Sequence, residues 1–122
     1  MNADTEKLVI VMTRGIDFEL SSVAFTLANG AITAGMRVFI FLTSAAVDVV
    51  RRRGHDLTHV PPLDPLARLI ADFQARGGAI WACPPCVTAR GYGADDLIEG
   101  VEIKGASAMF EKVRAGAATL SF

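Results

Sequence analysis

The stretch AIWACPPCVTARG, residues 79–91, reads as a strand that runs directly into a short helix, and this junction decides the fold class. AIWAC (79–83) is an apolar, β-rich run, as expected of a strand buried on both faces. Pro84 then supplies the fixed φ favoured at the first helical position. Gly91 stands where a helix of about two turns would stop.

Working outward, the same alternation recurs on both sides. LVIVMT (8–13) and RVFIFLT (37–43) read as two further buried strands. Between them FELSSVAFTLANGAITAG (18–35) is expected to be a helix that ends at Gly35. SAAVDVVRRRG (44–54) is expected as a short helix closed by Gly54. HDLTHVPP (55–62) is a loop, because Pro61 and Pro62 forbid regular structure. LDPLARLIADFQARGG (63–78) places Leu66, Leu69, Ile70 and Phe73 at helical spacing, with Asp64 as the expected N-cap and Pro65 as the first helical residue. Helical turns are expected near 84–90 and 94–99, a helix around 105–115, and a last strand at ATLSF (118–122). Strands alternating with helices predict an α/β fold with a mainly parallel sheet covered on both faces. No repeat, linker or low-complexity stretch divides the chain, so residues 1–122 are expected to form one domain.

Composition excludes several function classes. Twelve Lys plus Arg balance 13 Asp plus Glu, for a formal charge of −1, so no global field attracts nucleic acid or an anionic membrane. The opening MNADTEK is polar and mixed in charge, and no secretory signal is expected there. The most apolar helix, around residues 20–36, is interrupted by Ser21, Ser22, Thr26, Asn29, Gly30 and Thr33, and no membrane span is expected. A cytoplasmic protein follows, whose two cysteines are thiols rather than a structural disulfide. The mean hydropathy of +0.39 is high for a small domain and points to apolar surface covered by another subunit.

In open parallel sheets, sites form beyond the carboxyl ends of the strands. Those ends are Thr13-Arg14-Gly15, Thr43-Ser44 and Cys83. Cys83 would stand near the N-cap of its helix, where unpaired backbone N–H groups favour a thiolate, with Cys86 about one turn on. Arg90, seven residues after Cys83, is expected about two turns on along the same face, either adding positive potential or serving as an ordinary solvated helix end. Three other readings stay open. Both thiols are apolar core residues; or C-x-x-C is a thiol–disulfide couple, although thioredoxin-like chains carry that motif early and follow it with a long helix; or His55, His59, Cys83 and Cys86 make a zinc set. The zinc order reverses that of a C2H2 finger, and both histidines fall in a loop and read as solvated, so no metal is expected. G-x-G-x-x-G, the P-loop and G-x-S-x-G are all absent, and no cofactor is expected. Asp95 and Asp96 read as carboxylates at a helix start. Trp81 reads as core or interface.

The longer segment AIWACPPCVTARGYGADDLIEG, residues 79–100, resembles the signature of the DsrE/DsrF-like family, which includes sulfur-relay proteins. Cys83, Arg90-Gly91, Asp96-Leu97-Ile98 and Gly100-Val101 carry that resemblance, and the order of the other elements agrees with it. It implies a three-layer α/β/α domain with a mainly parallel sheet of about five strands. It also implies homo-oligomers, trimers or hexamers, with no bound redox cofactor. The family's sulfur-accepting cysteine falls on Cys83. Cys86 matches a cysteine found in only some members, as a resolving thiol, a second acceptor or packing. The function so implied is that of a cytoplasmic sulfur carrier holding sulfane sulfur as a Cys83 persulfide, with sulfur donor and acceptor proteins as partners. The alternatives are a non-catalytic homo-oligomeric binding or scaffold module and a C-x-x-C redox protein.

Overall fold

Alternation along the apolar runs sorts their side chains onto the two faces of a single sheet. A computed structural model describes residues 6–122; most of the polar opening stretch lies outside the described residues. The strands are β1 (Lys7–Met12), β2 (Arg37–Leu42), β3 (Ala79–Ala82), β4 (Glu102–Ile103) and β5 (Ala118–Ser121). They pair in the order β4-β3-β2-β1-β5, each neighbouring pair parallel. The register sets Ile10 beside Ile40 and Ile40 beside Ile80, while Val11, Phe41 and Trp81 form the next row on the opposite face. β4 was not anticipated, because its two residues are exposed and carry no apolar run.

The helices are α1 (Glu19–Thr33), α2 (Leu66–Ala75), α3 (Pro84–Ala89) and α4 (Ala106–Arg114). The chain steps from β1 through β2 and β3 to β4 in one direction, then crosses the whole sheet to place β5 beside β1. Right-handed crossovers therefore put the earlier helices on one face and α4 on the other, giving the three layers. The first face is the larger core. Phe25 and Ala28 of α1 and Leu66, Ile70 and Phe73 of α2 close over Ile10, Ile40 and Ile80. Burial of each such large side chain contributes about 1.5–3 kcal/mol. The second face holds Val9, Phe39, Phe41 and Trp81 under Met109 of α4.

Three helical elements differ from expectation. Pro65 is the N-cap of α2 rather than its first residue, with ψ 140°. Its extended backbone delays the helix to Leu66, whose N–H is satisfied by the Thr58 carbonyl at 2.9 Å, so Asp64 does not cap it. The expected helices at 44–54 and 94–99 are shorter 3₁₀ turns, Ser44–Val50 and Ala94–Asp96. They are tied to each other: the Ile98 N–H donates to the Val50 carbonyl at 2.8 Å, and that of Arg52 to Asp96 at 2.7 Å. No helix among the described residues is long and apolar enough to cross a membrane.

Candidate functional site

The thiols stand where β2 and β3 end together. The Cys83 N–H donates to the Leu42 carbonyl at 2.9 Å, which carries the β3 ladder one residue beyond Ala82. Cys83 thus follows the strand alternation onto the α4 face, against the cluster of Phe41, Trp81 and Met109. Pro84 and Pro85 then open α3, with Cys83 at its N-cap and extended (φ −65°, ψ 125°). Cys86 is the third helical residue and packs on the opposite side, against the larger core. Both thiols are free and half-buried.

Among the described residues, the Cys83 side chain makes no capping bond to the helix amides. The donors converge instead on Cys86. Its Sγ accepts the Ser44 backbone N–H at 3.1 Å and lies 3.5 Å from the Thr43 hydroxyl. Thr43 prolongs β2 through its N–H to the Met12 carbonyl, and Ser44 then turns into the left-handed region at φ 55°. A non-glycine residue seldom adopts that conformation, and such residues gather at functional sites. Together these contacts hold the Cys86 thiol below the ordinary thiol range. The Thr43 hydroxyl is the largest influence; burial opposes it, and the Ser44 amide, the Cys83 thiol and the Arg90 charge reinforce it.

Arg90 follows α3 at its C-cap. Its Nη1 donates to the Cys86 carbonyl at 3.3 Å, and its Nε lies 3.5 Å from Asp48 Oδ1. The Tyr92 hydroxyl donates to that same Asp48 oxygen at 2.6 Å. This bond, then burial and the Asp48 charge, raise the Tyr92 phenol above its usual range, with Arg51 and Arg90 opposing. The Arg51 guanidinium sits over the Tyr92 ring, 5.6 Å from its centre. Cys83, Cys86 and Arg90 therefore belong to one cluster, with Thr43, Ser44, Asp48 and Tyr92 as members not anticipated. Thr43 and Ser44 were legible as a strand end, but not as donors to sulfur.

The other candidates lie apart. The carboxyl end of β1 turns to the chain's last residue, where the Thr13 N–H and hydroxyl both donate to the Phe122 carbonyl. His55 is buried rather than solvated, because its Nδ1 pairs with the Val49 carbonyl at 2.7 Å; His59 is exposed. Among the described residues, no three His, Cys, Asp or Glu side chains gather so as to hold a metal ion. The Asp96 carboxylate accepts the Gly93 N–H at 2.8 Å, closing the start of its 3₁₀ turn. An open cavity of ≈ 430 Å³ lies between Ile16, Arg53, Leu57 and His59, and neither thiol lines it.

Comparison with known proteins agrees with this architecture. The E. coli ychN protein superposes with a TM-score of 0.79 at 18% identity, over 98% of this chain and 100% of that one. A Methanobacterium thermoautotrophicum protein of unknown function gives 0.75 at 18% identity, over 98% and 100%. A Bacteroides thetaiotaomicron protein of unknown function gives 0.72 at 20%, over 99% and 100%. At these identities the likeness is one of fold. An uncharacterized Methanopyrus kandleri protein is 35% identical over 83 residues, which cover 66% of this chain and 65% of that protein. The DsrE/DsrF-like family matches residues 6–122, nearly the full length, and the chain belongs to that family.

Proposed function

We propose that this is a cytoplasmic sulfur carrier that holds sulfane sulfur as a persulfide on Cys83. The observation that carries this reading is the unequal treatment of two adjacent thiols. Cys86 is held by donors from the end of β2, while Cys83, equally half-buried at the end of β3, makes no capping bond and is not engaged by those donors. In the loading step the Cys83 thiolate attacks the terminal sulfur of a donor persulfide. The donor's S–S bond breaks, its thiolate leaves, and Cys83 carries the sulfur. Family membership supports the same assignment, with Arg90 as a positive group near Cys86.

Incubation with a cysteine desulfurase and cysteine, followed by peptide mass spectrometry, tests it. One sulfur atom is expected on Cys83 in the Cys86→Ser variant, and Cys83→Ser is expected to abolish it. Sulfur found on Cys86 in the Cys83→Ser variant would reverse the roles. Thiols that react only after unfolding would favour a scaffold module with incidental cysteines. A second reading, thiol–disulfide exchange, is favoured by the influence of the Cys83 thiol on Cys86; it requires dithiol turnover without any sulfur uptake.

A further inference from the structure

Resting on the carrier reading, we infer that Cys86 is the thiolate that discharges the Cys83 persulfide, making the pair a sulfide-releasing couple rather than a passive carrier. The Cys86 sulfur attacks the inner sulfur on Cys83, and a Cys83–Cys86 disulfide forms. The bond to the outer sulfur breaks, and that sulfur leaves as hydrosulfide. The outer sulfur is reduced, the Cys86 sulfur is oxidised, the inner sulfur on Cys83 stays at the disulfide level, and no further oxidant is needed. An external dithiol then reduces the pair and becomes a disulfide itself.

Three observations carry the assignment. Cys83 at the N-cap and Cys86 at the third helical position are three residues apart at one short helix, the spacing that makes residues neighbours on a helix surface. The Ser44 N–H and the Thr43 hydroxyl, both from another element, are aimed at Cys86. Ser44 holds the left-handed backbone of that turn, so this donor set is built into the end of β2. A sulfur stabilised as an anion is the one that leaves when a disulfide is attacked. In the reverse direction hydrosulfide therefore attacks Cys83 and expels Cys86, so one geometry gives Cys83 the sulfur and Cys86 the exchange role both ways. The titratable and charged groups acting on Cys86 are Cys83 and Arg90; Asp48 is paired with Arg90, and Tyr92 is bonded to Asp48. Thr43 is a positioning residue, acting through the Cys86 sulfur.

The test uses the full chain as wild type, Cys86→Ser and Thr43→Val, each reduced, loaded anaerobically with cysteine persulfide and freed of excess reagent. Wild type is expected to release hydrosulfide in step with a Cys83–Cys86 disulfide seen by peptide mass spectrometry. Cys86→Ser is expected to keep its sulfur on Cys83 until dithiothreitol is added. Thr43→Val, close in shape, is expected to give the wild-type products with its release profile displaced to higher pH and release several-fold slower at neutral pH. Wild type that retains sulfur as Cys86→Ser does, or a Thr43→Val profile superimposable on wild type, overturns this inference and leaves the carrier reading standing. If neither wild type nor Cys86→Ser takes up sulfur, the carrier reading fails, and a second arm judges the exchange alone. In that arm sodium hydrosulfide is offered to the oxidised pair. Sulfur arriving on Cys83 with Cys86 set free supports the exchange, and an unreactive disulfide, or sulfur spread over both cysteines, overturns it.

Discussion

Cys86 draws its character from a hydroxyl 43 residues upstream, and that dependence has measurable consequences. In a Cys83→Ser background, alkylation of folded Cys86 by iodoacetamide is expected to set in at lower pH than in the denatured chain, and Thr43→Val is expected to move the onset back up. Stability is linked to the same proton. The folded state holds Cys86 below its unfolded value, so its contribution is complete above the unfolded thiol value and is lost as pH falls through the folded one. Urea melts of Cys86→Ser across neutral and alkaline pH should lack that rise. Tyr92 behaves in the opposite sense. Its phenol is raised, so its contribution is complete below the unfolded value and disappears as pH climbs through the folded one. Tyr92→Phe is expected to cost about 0.5–1.5 kcal/mol at neutral pH by chemical denaturation, toward the lower end because Asp48 is partly solvated. At this scale the reactive pair itself was legible, since two cysteines flank two prolines at a strand end. Its donors were not, because sequence order does not disclose which strand end lies beside which.

At the scale of elements, the turn from α2 into β3 is the tightest constraint on where the thiols stand. A Cβ added at Gly78 would strike the Phe73 ring. That ring cannot yield, being fully buried and set edge-on to Phe25 at 5.7 Å and 84°. Gly78→Ala is therefore expected to destabilise by about 1–3 kcal/mol, and Phe73→Ala by about 3–5 kcal/mol, in urea titrations. Long apolar runs and helical spacing made β1, β2, α1 and α2 readable, because burial of one face leaves a period in the residues. β4 leaves none, as Glu102 and Ile103 sit exposed at a sheet edge. The start of α2 was misplaced for a different reason. Pro65 fits a first helical position by its φ, whereas its ψ is set by the loop that delivers the Thr58 carbonyl to Leu66.

For the whole molecule, the two faces of the sheet are unequally clothed. α1 and α2 close one face, while α4 alone packs over the aromatic side. Phe110 on α4 is 56% exposed, while Leu120 at one sheet edge and Ile103 at the other, 43% and 40% exposed, share the register rows of Ile10 and Ala82 on the face that α1 and α2 cover. Side chains of that size are commonly covered between subunits. The proposed homo-oligomer, a trimer or hexamer, is expected by light scattering at micromolar concentration, and Phe110→Glu is expected to weaken it; a stable wild-type monomer would count against it. Parallel pairing and layering were readable from the alternation of strands and helices, but the unequal clothing was not, because it follows from the long return of β5 to β1. The thin side also holds the chain's single tryptophan. Lys104 places its ammonium 4.9 Å from the centre of the Trp81 ring, and Cys83 lies two residues further along on the same face. One indole, one cation against it and one sulfur beside it make tryptophan fluorescence a gauge of this side of the sheet. Lys104→Met is expected to displace the emission maximum, and sulfur uptake at Cys83 to quench it, so loading and discharge can be followed by light in the unmodified protein.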